Sequence, residues 1–152
     1  MPVGACLGYM VEMEKQLLPD NEDGGRGPGR IPLNERLIFA LDFPRPEEAL
    51  AWVDRLGGRI GFFKVGLQLF TAGWWPVVDA LVARGHKVML DLKFYDIPET
   101  VYQAVRQLRE HGVSLATVHG NPPIIEAAVA AGGELRILAV TVLTSFGEEE
   151  LA

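Results

Sequence analysis

Cysteine is nearly absent: Cys6 is the single one in 152 residues, which excludes an internal disulfide and suits a reducing compartment. Long apolar runs are missing as well. No stretch approaches the roughly 20 residues of a membrane span, and no basic segment followed by an apolar run stands at the N-terminus, so the expected location is cytoplasmic. Positive charge is in deficit, with 14 basic against 20 acidic residues and a net charge of -6. That balance argues against binding nucleic acid or anionic membranes through bulk electrostatics, but not against a small anionic substrate met by a local group of lysines. Three histidines stand far apart, and none has a second metal ligand at suitable spacing. No metal site is expected.

What is present is an ordinary globular composition, 49% hydrophobic and 22% charged. Residues 1–34 differ from the rest. "DNEDGGRGPGRIP" is rich in Gly, Pro and charge, and reads as a flexible N-terminal extension, with a short helix over "YMVEMEKQLL" before it. Its glycines do not make a phosphate cradle, because no strand precedes them and no Gly-Lys-Ser/Thr follows.

From Leu37 onward, short apolar runs alternate with segments of helical spacing. The runs are "LIFAL", "IGFFKVG", "KVMLDLK", "VSLATVH" and "LRILAVTVL". Between them lie helices in "PRPEEALAWVDRL", "GWWPVVDALVARG", "IPETVYQAVRQLREHG" and "PPIIEAAVAAG". Near-continuous apolar strands separated by amphipathic helices require a parallel sheet covered by helices. A period of roughly 25 to 30 residues predicts an α/β fold of the (β/α)8 TIM barrel type, here over residues 35–152 as about five of eight units. A doubly wound sheet is the rival, but it usually carries a Gly-rich first turn, and "DFPRP" follows the first strand here.

Polar residues gather where these strands end: Asp42 after the first, Lys64 within the second, Asp91 and Lys93 at the end of the third, and Thr144 and Ser145 after the fifth. Barrel enzymes build their sites at this face. Asp42 alone is equally explained as a turn or cap residue. Lys64, inside "GFFKVGL", needs a carboxylate partner or an anionic ligand, and Asp91 is the expected partner, in a functional pair or a purely structural one. In "LDLKFYDIPET", alternation along a strand puts Asp91 and Lys93 on one face, while Asp96 is a candidate helix cap ahead of Pro98. Lys64, Asp91, Lys93 and Asp96 together alternate in sign. His86 and His111 sit at helix ends in solvated or capping positions, His119 ends the fourth strand, and Trp74 and Trp75 are expected to pack at a helix start.

The stretch "DLKFYDIPET" resembles the Asp-x-Lys-x-x-Asp-Ile-Pro-x-Thr signature of the orotidine 5′-phosphate decarboxylase family, whose activity is the last step of UMP synthesis. "FALDFP", "FFKVGLQLF", "TVHG" and "AVTVLTS" agree with it in order and spacing over about residues 36–150. The resemblance implies a decarboxylase free of cofactor and metal, working as a homodimer. It implies Lys93 as proton donor to C6 of the pyrimidine, Asp91 beside the departing carboxylate, and Lys64 and Asp42 at the ribose hydroxyls. Asp96, Ile97 and Thr100 would reach the neighbouring subunit's site, and Thr144 would lie near the pyrimidine. Two departures stand out: "GNPPII" replaces paired glycines after the fourth strand, and the late phosphate-binding region with its arginine is absent. The expectation is therefore a fragment that alone is inactive or nearly so. The alternatives are a magnesium-dependent sugar-phosphate decarboxylase or aldolase of the same superfamily, against which "DIPET" argues, and a noncatalytic half barrel serving as an assembly partner.

Overall fold

A computed structural model of the chain describes residues 31–143 and Ser145. Residues 31–142 form one compact unit. Its elements are β1 (Ile38–Ala40), α1 (Pro46–Leu56), β2 (Phe62–Gly66), α2 (Leu67–Ala83), β3 (Lys87–Phe94), α3 (Pro98–Glu110), β4 (Leu115–His119), α4 (Pro122–Gly132) and β5 (Arg136–Val140). The helix expected in "YMVEMEKQLL", Cys6 and the residues after Ser145 lie outside the described residues. The described chain begins four residues inside the predicted extension, and a 3-10 turn at Leu33–Glu35 is tied to the sheet by the Asn34 carbonyl, which accepts the Gly61 N–H at 2.6 Å.

The five strands are all parallel and pair in sequence order. Among the described residues no strand doubles back to the far side of the first, so they contain no topological switch point and do not form a doubly wound sheet. Sequential winding of this kind is the wall of a (β/α) barrel. In-register neighbours in a parallel sheet face the same way, so the line Ala40, Lys64, Met89, Leu115 belongs to one face. Phe63, Val65, Val88, Leu90, Ala116 and Val118 belong to the other, where they are fully or almost fully buried in a single cluster with the helices. Each such valine, leucine or phenylalanine stabilises the fold by about 1.5–3 kcal/mol relative to exposure.

Local signals explain the helix limits. Pro46 opens α1, Glu47 and Glu48 lie in its first turn against the positive helix end, and Gly57 closes it in the left-handed conformation at φ 54°. α2 departs from expectation. It starts at Leu67, six residues before the predicted start, and Trp74 interrupts it at φ 48°, ψ -149°, two residues before Pro76. No polar cap announces Leu67, since Gly66 holds the N-cap position without a side-chain hydrogen bond. The break leaves Trp74 mostly exposed, with its ring 5.8 Å from that of Phe70, whereas Trp75 is partly buried against Phe70 and His111. At Gly73 a Cβ would fall 2.3 Å from Val77 Cγ2 and 2.8 Å from Pro46 Cγ, so glycine permits the approach of α1 to α2.

His86 leads into β3 with its ring edge-to-face on Phe63 at 4.9 Å, a packing role and not the solvated one expected. Burial, reinforced by the Arg84 guanidinium, lowers its pKa from the ordinary 6.5. A folded value below the unfolded one means that protons favour the unfolded chain. The contribution of neutral His86 is therefore complete above pH 6.5 and is lost as pH falls through the lowered value. Replacing His86 by leucine is expected to reduce the loss of thermal stability between about pH 7.5 and pH 5. An unchanged loss, read from paired melting curves, would show that this ring does not carry that part of the pH dependence.

Candidate active site

The polar line on the sheet starts at the end of β1. Asp42 lies two residues beyond it, and its Oδ1 is 3.2 Å from Lys64 Nζ on β2. Asp42 is not a helix cap, since Arg45 occupies the N-cap position of α1 and no side-chain cap is made there. Lys64 Nζ also lies 3.9 Å from Asp91 Oδ2 on β3, and Asp91 Oδ1 lies 2.8 Å from Lys93 Nζ. Asp42, Lys64, Asp91 and Lys93 thus form an unbroken line of alternating sign. The half-buried lysine in "GFFKVGL" has the carboxylate company that its desolvation requires, with Asp42 nearer than the expected Asp91. Asp91 and Lys64 retain 15% and 20% side-chain exposure, so their attraction is less screened than that of a pair on the open surface.

Lys93 meets Asp91 by a route that simple alternation does not describe. Its φ is +49°, and the β3–β4 register slips between Leu90 and Phe94. A left-handed, non-glycine residue costs about 1–3 kcal/mol unless its surroundings hold it. The holding group is Thr117, which sequence reasoning missed. Its Oγ1 accepts the Lys93 backbone N–H at 2.9 Å and donates to Asp91 Oδ1 at 2.8 Å. Thr117 is 1% exposed and is the only buried polar side chain among the described residues. A signal for it existed in "LATVH", where alternation puts Thr117 on the face opposite Ala116 and Val118.

Asp96 does not join this line. Its Oδ1 accepts the N–H of Ile97 at 2.7 Å, and it makes no ion pair among the described residues. Nor does it cap α3, because Ile97 itself is the N-cap residue and no side chain caps that end, although Pro98 does open the helix as expected. Residues 95–100, including Asp96, Ile97 and Thr100, are exposed. Tyr95, Asp96 and Ile97 line an open cavity of about 500 Å³ with Asn121, Pro123 and Ile124. Thr144 lies outside the described residues. His119 ends β4 with its ring 4.7 Å from that of Tyr95, while His111 stacks on Trp75 at 3.8 Å and its Nδ1 lies 2.7 Å from Asp79 Oδ1. Among the described residues no three potential metal ligands of the His, Cys, Asp or Glu type cluster, and no helix is long and apolar enough to cross a membrane.

The arrangement places an ammonium, 40% exposed, at a strand end with a carboxylate fixed beside it. That is a positive field and a proton offered together. Residues 35–152 match the model of the orotidine 5′-phosphate decarboxylase / HUMPS family. The chain belongs to this family. It is 51% identical over 130 residues to the orotidine 5′-phosphate decarboxylase of Xanthomonas campestris pv. campestris, covering 84% of this chain and 54% of that protein. It is 53% identical over 122 residues to the one from Methylococcus capsulatus, covering 80% and 50%. The crystal structure of orotidine 5′-phosphate decarboxylase from Lactobacillus acidophilus superposes with a TM-score of 0.69 at 35% identity, over 76% of this chain and 56% of that one. The chain therefore spans about half the length of the curated relatives it matches.

The line of charges makes a stability prediction for this decarboxylase-family chain. Asp91→Ala removes the acceptor shared by Lys93 and Thr117 and leaves Lys64 and Lys93 without the anion between them, so a loss of about 1–3 kcal/mol is expected in urea unfolding. Asp96→Ala, at an exposed position outside the line, is expected to change stability by less than about 0.5 kcal/mol. Equal effects from the two substitutions would contradict the geometry.

Proposed function

We propose that this chain carries the charged catalytic face of an orotidine 5′-phosphate decarboxylase, cytoplasmic and homodimeric, with neither cofactor nor metal taking part. The observation that carries the reading is the continuous line Asp42, Lys64, Asp91, Lys93 across three adjacent strands. Loss of CO₂ from C6 of the pyrimidine leaves a carbanion whose charge does not spread into an adjacent carbonyl. A fixed cation at that carbon is the main stabilisation available, and Lys93 supplies both the field and the proton that completes UMP. Asp91, held beside Lys93, faces the substrate carboxylate and disfavours it more than the neutral CO₂ that leaves. Lys64 and Asp42 take the ribose hydroxyls, as donor and acceptor respectively.

Exposure of Asp96, Ile97 and Thr100 supports their assignment to the partner subunit's site, since a segment that serves a neighbour must project from its own subunit. Thr144 is assigned to the pyrimidine edge. The net charge of -6 supports the absence of nucleic-acid and membrane partners. The sequence "DIPET" favours the nucleotide substrate over a sugar phosphate handled with magnesium.

The test uses a barbiturate nucleotide, which carries a negative charge where the carbanion would form and so meets Lys93 as the transition state does. Titration of the 152-residue chain is expected to show saturable binding that shifts the Lys64 and Lys93 side-chain resonances. Lys93→Ala is expected to weaken it by at least about tenfold, one charge-assisted contact. A folded chain that ignores the nucleotide, or a Lys93→Ala variant that binds it equally well, would overturn the assignment.

A further inference from the structure

We propose that Thr117 is a positioning residue that fixes the Lys93 ammonium through a closed ring of hydrogen bonds, without itself touching the substrate. Its relevance to decarboxylation rests on the function proposed above, but the ring itself does not. The backbone N–H of Lys93 can only donate, so Thr117 Oγ1 must accept there, at 2.9 Å. The one hydroxyl proton is then committed elsewhere, and the acceptor in line is Asp91 Oδ1 at 2.8 Å. The same Oδ1 receives the Lys93 ammonium at 2.8 Å. The circuit therefore leaves Lys93 at its amide, passes through Thr117 and Asp91, and returns to Lys93 at its Nζ. Every donor in it has one direction only.

Three features suit Thr117 to this task and not merely to filling space. It is fully buried, so water does not compete for its oxygen. Its β-branch restricts χ1 and keeps the hydroxyl where both partners need it. It also stands opposite the register slip between Leu90 and Phe94, where Lys93 takes up its positive φ and the regular ladder does not serve its N–H. Valine has the same shape as threonine and breaks both bonds. Serine keeps the hydroxyl and loses only a methyl group.

The experiment is nuclear magnetic resonance on the ligand-free 152-residue chain and its Thr117→Val and Thr117→Ser variants. In Thr117→Val the Lys93 amide is expected to exchange at least about tenfold faster with solvent, while the amides of Val88 and Leu90 stay protected. The Lys93 Nζ resonance is expected to move toward that of a free lysine. Thr117→Ser is expected to restore both readouts, which a purely volumetric role would not do. A folded Thr117→Val chain with unchanged Lys93 amide and Nζ signals would overturn the proposal. If that variant does not fold, the wild type decides: the Thr117 hydroxyl proton should be visible in slow exchange and close to the Lys93 amide, and its absence among protected neighbours would be equally fatal. Where turnover is measurable, kcat should fall about tenfold in Thr117→Val with little change in KM, as for a misplaced catalytic group. Failure of the wild type to bind the barbiturate nucleotide would count against the decarboxylase reading and leave the ring standing.

Discussion

One carboxylate, that of Asp91, has to satisfy two ammoniums and a hydroxyl that arrive from three different strands. Lys64 comes from β2, Lys93 from β3 itself and Thr117 from β4. Such convergence is possible only where neighbouring strands are parallel and in near register, because then their C-terminal ends stand side by side. The sequential pairing of the sheet meets that demand, with Gly66 in register directly beside Asp91. The helices on the opposite face matter to the site chiefly because they bury the alternate residues, Val65, Val88, Leu90 and Ala116, and so hold the strands in that register.

The carboxylate is also where a local cost is offset. Lys93 takes a conformation that lysine avoids, and its amide leaves the regular ladder. A strained residue persists when its neighbours over-determine it, and here its amide and its side chain are both anchored, through Thr117 and Asp91 respectively. The strain serves an evident geometrical purpose. In a regular strand the side chain of residue 93 would stand parallel to that of residue 91, whereas the left-handed turn coincides with an ammonium brought into contact with that carboxylate. Preorganisation of this kind spares the site a reorganisation when charge develops on a substrate.

Much of this was legible in the sequence because strand order and side-chain alternation are local properties. The runs "LIFAL" to "LRILAVTVL" became the five strands, and α4 has the predicted limits, Pro122–Gly132. The convergence of Asp42, Lys64, Asp91 and Lys93 followed from placing Asp42, Asp91 and Lys93 at strand ends and Lys64 within the strand between them. What escaped depended on backbone detail. Trp74 was expected to pack at a helix start, but it sits at a break inside α2, touching Phe70 and otherwise largely exposed. Asp96 was grouped with the lysines, yet among the described residues it makes no ion pair, and Asp42 stands in the alternation. Thr117 was overlooked because a lone threonine in an apolar strand looks like a β-former, and its importance depends on a register slip that no periodicity announces.

The span of the charged line has its own consequence. Asp42, Lys64, Asp91, Lys93 and Thr117 lie on or just after four successive strands, and each contact joins strands that are adjacent in the sheet or a residue to its close neighbour. The line therefore needs no contribution from elsewhere in a barrel to acquire its sign and spacing. Recognition of a distant anionic group on a substrate is a separate physical task, met by donors far from the reacting carbon. Binding energy gathered there raises turnover only if it is used to press the reacting carbon against a group that is already in place. In this chain the sheet itself places the Lys93 ammonium, through Asp91 and Thr117, so the field there does not depend on how a remote anion is held.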